Sequence, residues 1–81
     1  MMVGKPYTTR QGQYLAFIFY YPKIHGVAPA GLDMQSYFMV SPPSVHQMGV
    51  TLESNCFIER VPGKARSIRL LVTRADLPDL G

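Results

Sequence analysis

Basic side chains are concentrated in one stretch of this sequence, and such a cluster is suited to binding phosphates. Five of its eight lysines and arginines are Arg60, Lys64, Arg66, Arg69 and Arg74. Duplex DNA attracts clusters of this kind because each neutralised phosphate releases condensed counterions. Lys64 and Arg66 lie at a turn-forming segment, from which they can reach a DNA backbone or minor groove. The same charges also suit an ordinary solvated hairpin, so they do not decide the function alone.

A second group of candidate contacts lies on one face of a helix predicted over residues 42–55. At about 100° per residue, its inward face holds Val45, Met48, Gly49 and Leu52. Gly49 would allow close approach of a neighbouring helix. The opposite face is small and polar, which suits a groove better than a core. It holds Pro43, His46, Gln47, Val50 and Ser54, with Ser44 and Thr51 at its margin.

The side chains on this polar face can recognise base edges. Gln47 can pair bidentately with adenine, and His46 and Ser44 offer small donors and acceptors. Every helix of a soluble protein has a polar face, so this pattern favours DNA reading only in combination with the basic hairpin.

Other chemistry finds little support in the sequence. His25, His46 and Cys56 do not follow the spacing of zinc ligands, and a lone cysteine near a helix end is usually structural. The acidic residues are few and scattered, and no Ser/His/Asp arrangement stands out. We therefore expect no metal, no cofactor, no small-molecule substrate and no enzymatic activity.

Composition indicates one small globular domain. The chain has 81 residues, 47% of them hydrophobic and 16% charged, with a formal net charge of +3. The single cysteine excludes an internal disulfide, and a reducing compartment is expected. The longest apolar run, residues 14–21, is too short to cross a bilayer, and the N-terminus does not resemble a signal peptide. We expect a soluble, cytoplasmic protein without membrane partners.

Periodicity and turn signals predict three helices followed by a hairpin. The first helix begins at a threonine cap near Thr8, contains Pro22 and stops at Gly26. The second covers residues 31–38, and the third covers residues 42–55 with Ser41 as its N-cap. In the second helix the residues expected to supply apolar contacts are Leu32, Met34, Tyr37 and Phe38.

Two strand-like segments, residues 57–61 and 67–72, flank a turn at residues 62–65. The predicted fold class is therefore α+β and mostly α: a winged helix-turn-helix of three helices and a two-stranded β-hairpin wing. The predicted division is an N-terminal arm at residues 1–7, the winged helix domain at residues 8–72 and a tail at residues 73–81. In the tail, Leu77 and Leu80 can dock on the domain.

Four stretches of the sequence form a recognisable series: Thr9-Arg10-Gln11 at the first helix, Gly26-Val27-Ala28-Pro29 at the turn, Ser41-Pro42-Pro43-Ser44-Val45-His46 at the third helix, and Ile58-Glu59-Arg60 with residues 62–71 at the hairpin. The order and spacing of these motifs are more specific than any one of them. Over residues 8–72 the chain resembles the N-terminal DNA-binding domain of the LexA repressors, especially small stand-alone proteins bearing only this domain.

The resemblance implies a division of roles among the candidate residues. Base contacts come from the start of the recognition helix, and the wing approaches the backbone through Lys64 and Arg66. Pro43 has no side-chain donor and can make only apolar or shape contacts. With Thr51 and Arg69 added from the helical face and the hairpin, the predicted DNA-binding set is Ser41, Pro43, Ser44, His46, Gln47, Thr51, Lys64, Arg66 and Arg69.

The sequence departs from the family pattern in three places. It carries no counterpart of the family's self-cleaving protease domain, so we expect no autoproteolysis. Cys56 stands where the family usually has glycine after the third helix, and a left-handed cysteine there would be strained. Pro22 inside the first helix is also unusual.

Two functions follow as hypotheses. The first is a sequence-specific regulator of transcription that binds double-stranded DNA and is repressor-like. The alternative is a winged helix that captures another protein without specific DNA binding, since a fold does not settle a function. Phe19 and Tyr20 point away from the core stripe of the first helix. Either they form a self-association patch, or Tyr20 is simply exposed and Phe19 packs on the tail. A homodimer on DNA is a further hypothesis, because a single small domain buries little DNA-contact area and often gains specificity from two half-sites.

Overall fold

A computed structural model describes residues 7–72 of the chain. Within these residues the chain forms three helices and one small antiparallel sheet, which confirms the mostly helical α+β class. The elements are α1 (Thr9–His25), α2 (Gly31–Phe38), α3 (Pro42–Ser54), β1 (Ile58–Glu59) and β2 (Arg69–Leu70). Residues 1–6 of the predicted arm and the predicted tail, residues 73–81 with Leu77 and Leu80, lie outside the described residues.

The two ends of α1 are fixed by local chemistry. Thr8 and Gln11 form a capping box, in which the Thr8 hydroxyl accepts from the Gln11 amide at 3.1 Å and the Gln11 side chain accepts from the Thr8 amide at 2.9 Å. The helix continues through Pro22 to His25. Gly26 then adopts the left-handed conformation at φ 78°, which ends the helix as predicted.

Local hydrogen bonds and backbone conformations also define the ends of α2 and α3. At the N-cap position of α2, the Ala30 amide donates to the Asp33 carboxylate at 2.7 Å. Met39 closes α2 in the left-handed conformation at φ 56°. Ser41 is the N-cap of α3, as predicted, and α3 ends at Ser54, one residue earlier than predicted.

The hairpin is shorter than the sequence predicted. The paired strand residues are Ile58 with Leu70 and Glu59 with Arg69, and the Leu71 amide also donates to the Phe57 carbonyl at 2.8 Å. The antiparallel hairpin is confirmed, but the predicted strand lengths, residues 57–61 and 67–72, are wrong. The reason lies just beyond this pairing. The Val61 amide donates to the Ser67 hydroxyl at 2.9 Å, so a side chain replaces the backbone acceptor that would extend the ladder.

The core forms where α1, α2, α3 and the hairpin meet. Its buried hydrophobic residues are Tyr7, Tyr14, Leu15, Ala16, Phe17, Ile18, Met34, Val45, Leu52, Phe57 and Ile58. Tyr7, assigned to the N-terminal arm by sequence, packs edge-on against Phe57 with ring centroids 5.9 Å apart. In α3 the predicted inward positions Val45 and Leu52 are buried, which confirms the orientation of this helix.

Two packing expectations were wrong. Leu32 is 70% exposed, whereas Tyr37 supplies the expected apolar contact, with its ring centroid 4.7 Å from that of Phe17. The eight residues of α2 make just over two turns, and Met34 and Phe38, spaced i to i+4, occupy the side that faces the core. The group closest to Gly49 is not on a helix: a Cβ there would lie 2.8 Å from Nη1 of Arg60. No helix within residues 7–72 combines the length and hydropathy needed to cross a membrane.

Candidate nucleic-acid interface

The outer face of α3, defined by Ser41, Pro43, Ser44, His46, Gln47 and Thr51, is open to solvent along its N-terminal half. The first five are exposed and Thr51 is half-buried. They share this face because the apolar positions Val45 and Leu52 pin the other side of α3 into the core. The structure therefore brings together all six of the residues predicted on α3.

Two serines of this face are already engaged in capping. The Ser41 hydroxyl accepts from the Ser44 amide at 3.4 Å, and the two hydroxyl oxygens lie 3.0 Å apart. The Gln47 amide nitrogen donates to the Thr51 hydroxyl at 3.5 Å, a long bond on an exposed surface. Because this bond is long and exposed, the Gln47 amide can exchange it for another acceptor with little loss.

The outer face of α3 carries no full charge. From residue 42 to residue 52 the helix contains no Asp, Glu, Lys or Arg, and Glu53 at its end is paired with Arg60. An uncharged surface costs less to desolvate than a charged one. Attraction to phosphates must then come from neighbouring elements.

Most of the predicted hairpin cations are paired with acids. Arg60 donates to the Glu53 carboxylate at 2.9 Å, and Arg69 pairs with Glu59 across the two strands. Arg66 turns back onto α2, where its Nη1 lies 3.1 Å from Oδ2 of Asp33. By contrast, Lys64 is exposed, and its side chain forms no hydrogen bond or ion pair with the residues that the structure describes.

The group around Arg66 joins three parts of the chain. Arg66 Nη1 donates to the carbonyl oxygen of Ala28 at 3.0 Å as well as to Asp33. The Ala30 amide, the Tyr21 hydroxyl and the Arg66 guanidinium hold the pKa of Asp33 below its ordinary value, against a smaller effect of burial. The pKa of Arg66 is raised by Tyr21 first and by Asp33 next.

One candidate was missed by the sequence reasoning. Arg10 is exposed on α1, and its guanidinium carbon lies 5.6 Å from the Tyr14 ring centroid and 5.2 Å from that of Phe38. This stacking holds a cation beside the end of α2, just before the turn into α3. The i to i+4 spacing of Arg10 and Tyr14 was a signal for the first of these contacts, but the contact with Phe38 is tertiary.

The arrangement places two cationic groups at opposite ends of α2. Arg10 packs on Phe38, its last residue, and Arg66 bonds to Asp33 in its first turn.

No protein-family model matches this chain, and no curated protein matches it. No group of three His, Cys, Asp or Glu side chains suited to a metal ion occurs in the described part of the chain.

Proposed function

We propose that the protein is a sequence-specific regulator of transcription that binds double-stranded DNA, with α3 as the recognition helix in the major groove and the hairpin of residues 57–72 as the wing of a winged helix-turn-helix. The observation that carries this proposal is the outer face of α3: exposed, polar, uncharged and not used by the core. The resemblance to the LexA repressor domains supports a repressor-like role.

The dimensions of α3 suit the major groove. Its 13 residues make a helix about 20 Å long, and a major groove about 12 Å wide admits one helix. The preceding short helix and turn are the usual support of a recognition helix, whose N-terminal residues contact base edges. Here the N-terminal half of α3 contributes Pro43, Ser44, His46 and Gln47.

A second candidate function has its own supporting observation. A groove of about 450 Å³ lies between α1 and α2 and is lined largely by aromatic and aliphatic side chains, among them Phe17, Tyr21, Ile24 and Tyr37. Ile24 is 76% exposed. Such a patch favours capture of a protein partner, either another protein or a second copy of the chain.

Selection of bound duplexes from a random DNA pool at moderate salt tests both functions. An enriched inverted repeat supports sequence-specific binding by a two-fold dimer, and an enriched single half-site supports binding by a monomer. Binding without enrichment would leave only a non-specific role. Failure of a folded sample to bind any duplex would refute the DNA proposal and favour partner capture.

Two pairs of variants assign the roles of helix and loop. Gln47→Ala should relax sequence preference, since a bidentate base contact contributes about 1–3 kcal/mol of discrimination. Gln13→Ala, an exposed glutamine on α1, is its control. Lys64→Ala should weaken all duplexes alike, whereas Lys23→Ala removes the same charge at the end of α1 and should have a smaller effect. Identical behaviour of Gln47→Ala and Lys64→Ala on every duplex would contradict these roles.

A further inference from the structure

The geometry points to different roles for the two cations of the hairpin loop, residues 61–67. Arg66 is a positioning residue that anchors the loop to α2, and Lys64 is the phosphate contact that the anchored loop presents. This inference rests on the proposed DNA-binding function and describes how one part of it operates. It differs from the sequence prediction, which gave both cations the same role.

The anchor consists of bonds from one side chain to two separate places. The Arg66 guanidinium reaches Asp33 in α2 and the carbonyl oxygen of Ala28 in the α1–α2 connection. Asp33 is itself held by the Ala30 amide at 2.7 Å, so its carboxylate is a fixed acceptor. A planar guanidinium that bonds several acceptors at once defines an orientation as well as a distance.

The loop behind Arg66 is closed by its own hydrogen bonds. The Ser67 hydroxyl bonds to both the amide and the carbonyl group of Val61, at 2.9 and 3.3 Å. The Lys64 amide donates to the Val61 carbonyl at 3.1 Å. Because the loop is closed at Val61 and Ser67 and tied to the helices at Arg66, fixing Arg66 limits the positions that Lys64 can take.

The two cations differ in what binding a phosphate would require. Arg66 would have to give up its bonds to Asp33 and Ala28, and it would leave the Asp33 carboxylate without its cation. The Lys64 side chain has no hydrogen bond or ion pair to give up among the described residues, and its ammonium acts as a point charge that needs no fixed approach. Arg66 also has a φ of 55°, a left-handed backbone conformation that is uncommon for a residue other than glycine.

Three single variants and one double variant separate anchoring from phosphate contact. Arg66→Ala removes the anchor. Asp33→Asn removes its charge while keeping an oxygen that can accept from the Ala30 amide, so α2 stays capped. Lys64→Ala is the matched loss of one positive charge in the same loop. The double variant Arg66→Ala/Asp33→Asn tests whether the two residues act as a unit.

The first measurement uses the free protein and no DNA. Backbone order at Gly63, Lys64 and Ala65 is followed by ¹⁵N heteronuclear relaxation, with thermal unfolding as the check that each variant folds. Order in the loop should fall in Arg66→Ala and Asp33→Asn and stay unchanged in Lys64→Ala. Equal loop order in all the variants would refute the anchor whether or not the protein binds DNA.

The second measurement is the salt dependence of affinity for a selected duplex. Lys64→Ala should reduce the slope of log affinity against log salt by about 1, because one phosphate contact is lost. Arg66→Ala and Asp33→Asn should each weaken binding by about two- to fivefold with the slope unchanged, the size expected for an exposed ion pair. The double variant should be no weaker than Arg66→Ala.

Opposite results would overturn the inference. If Arg66→Ala lowers the slope as Lys64→Ala does, and Asp33→Asn strengthens binding by releasing the guanidinium, Arg66 is itself a phosphate contact. If the loop loosens as expected but the wild-type protein binds no duplex, the proposed function and the role of Lys64 fail while the anchor stands.

Discussion

Replacing Cys56 with glycine should stabilise the protein, because the backbone at this position favours glycine. Cys56 follows the C-cap of α3 and has a φ of 62°, as the sequence anticipated. Its amide donates to the Glu53 carbonyl, and the Phe57 amide donates to the Leu52 carbonyl, each at 3.0 Å. This pair of bonds is a Schellman motif, with Leu52 and Phe57 as its hydrophobic contact.

The expected gain follows from two opposing effects. A left-handed conformation costs an L-residue about 1–2 kcal/mol, and Cys56→Gly removes that cost. Glycine also makes the unfolded chain more flexible, which costs about 0.4–1 kcal/mol. Since the Cys56 side chain is exposed, little packing is lost. The net gain should be about 0.5–1 kcal/mol, which raises Tm by about 2–8 °C in a domain of this size.

Urea and thermal unfolding followed by circular dichroism would measure this change, with two controls. Asn55→Gly places glycine at the preceding residue, whose φ is −87°, and should lower stability by about 0.5 kcal/mol. Cys56→Ala removes the thiol but keeps the strain, and should stay within about 0.5 kcal/mol of the wild type. If both glycine variants are destabilised alike, backbone strain at Cys56 is not the controlling factor.

The other stability predictions concern the core, a cap and acid. Leu52→Ala, at a side chain 1% exposed, should cost about 2–5 kcal/mol in urea unfolding, whereas the exposed Leu32→Ala should change stability by less than about 0.5 kcal/mol; equal effects would refute the packing of α3. Ser41→Ala should cost about 1 kcal/mol through the lost N-cap, and the exposed Ser36→Ala should not lower stability. Because the pKa of Asp33 is lowered in the folded protein, the ionised carboxylate stabilises the fold at pH values above its ordinary pKa of 3.8. That stabilisation is lost as the pH falls through the lowered pKa. Asp33→Asn should therefore lose less stability than the wild type across that acid range, and parallel acid curves would contradict this.

Local signals were sufficient to place the helices. Thr8, Gly26 and Ser41 act on backbone groups within a few residues of themselves, so their roles as caps and stops do not depend on the rest of the fold. The inward face of α3 was predictable for a related reason. Helical periodicity fixes which side chains share a face, and only one face of this helix is apolar.

The extent of the hairpin and of the α2 packing could not be predicted in the same way. Residues 57–61 and 67–72 have the composition of strands, but the Ser67 hydroxyl takes the Val61 amide and ends the pairing early. Leu32 has the composition of a core residue, but its side of α2 faces solvent. Both outcomes depend on which groups come close in three dimensions, and residue type does not record that.

The candidate site, like the fold, could be predicted from the sequence only in part. The sequence determined which residues lie on the outer face of α3, because that depends on one helix alone. Only the tertiary structure decided which cations stay available for phosphates. The Arg66 side chain pairs with Asp33, 33 residues away along the chain, while the Lys64 side chain has no hydrogen-bond or ion-pair partner among the described residues. The composition gives the numbers of acidic and basic residues. Which of them form ion pairs depends on distances that are set by how the hairpin folds onto α2.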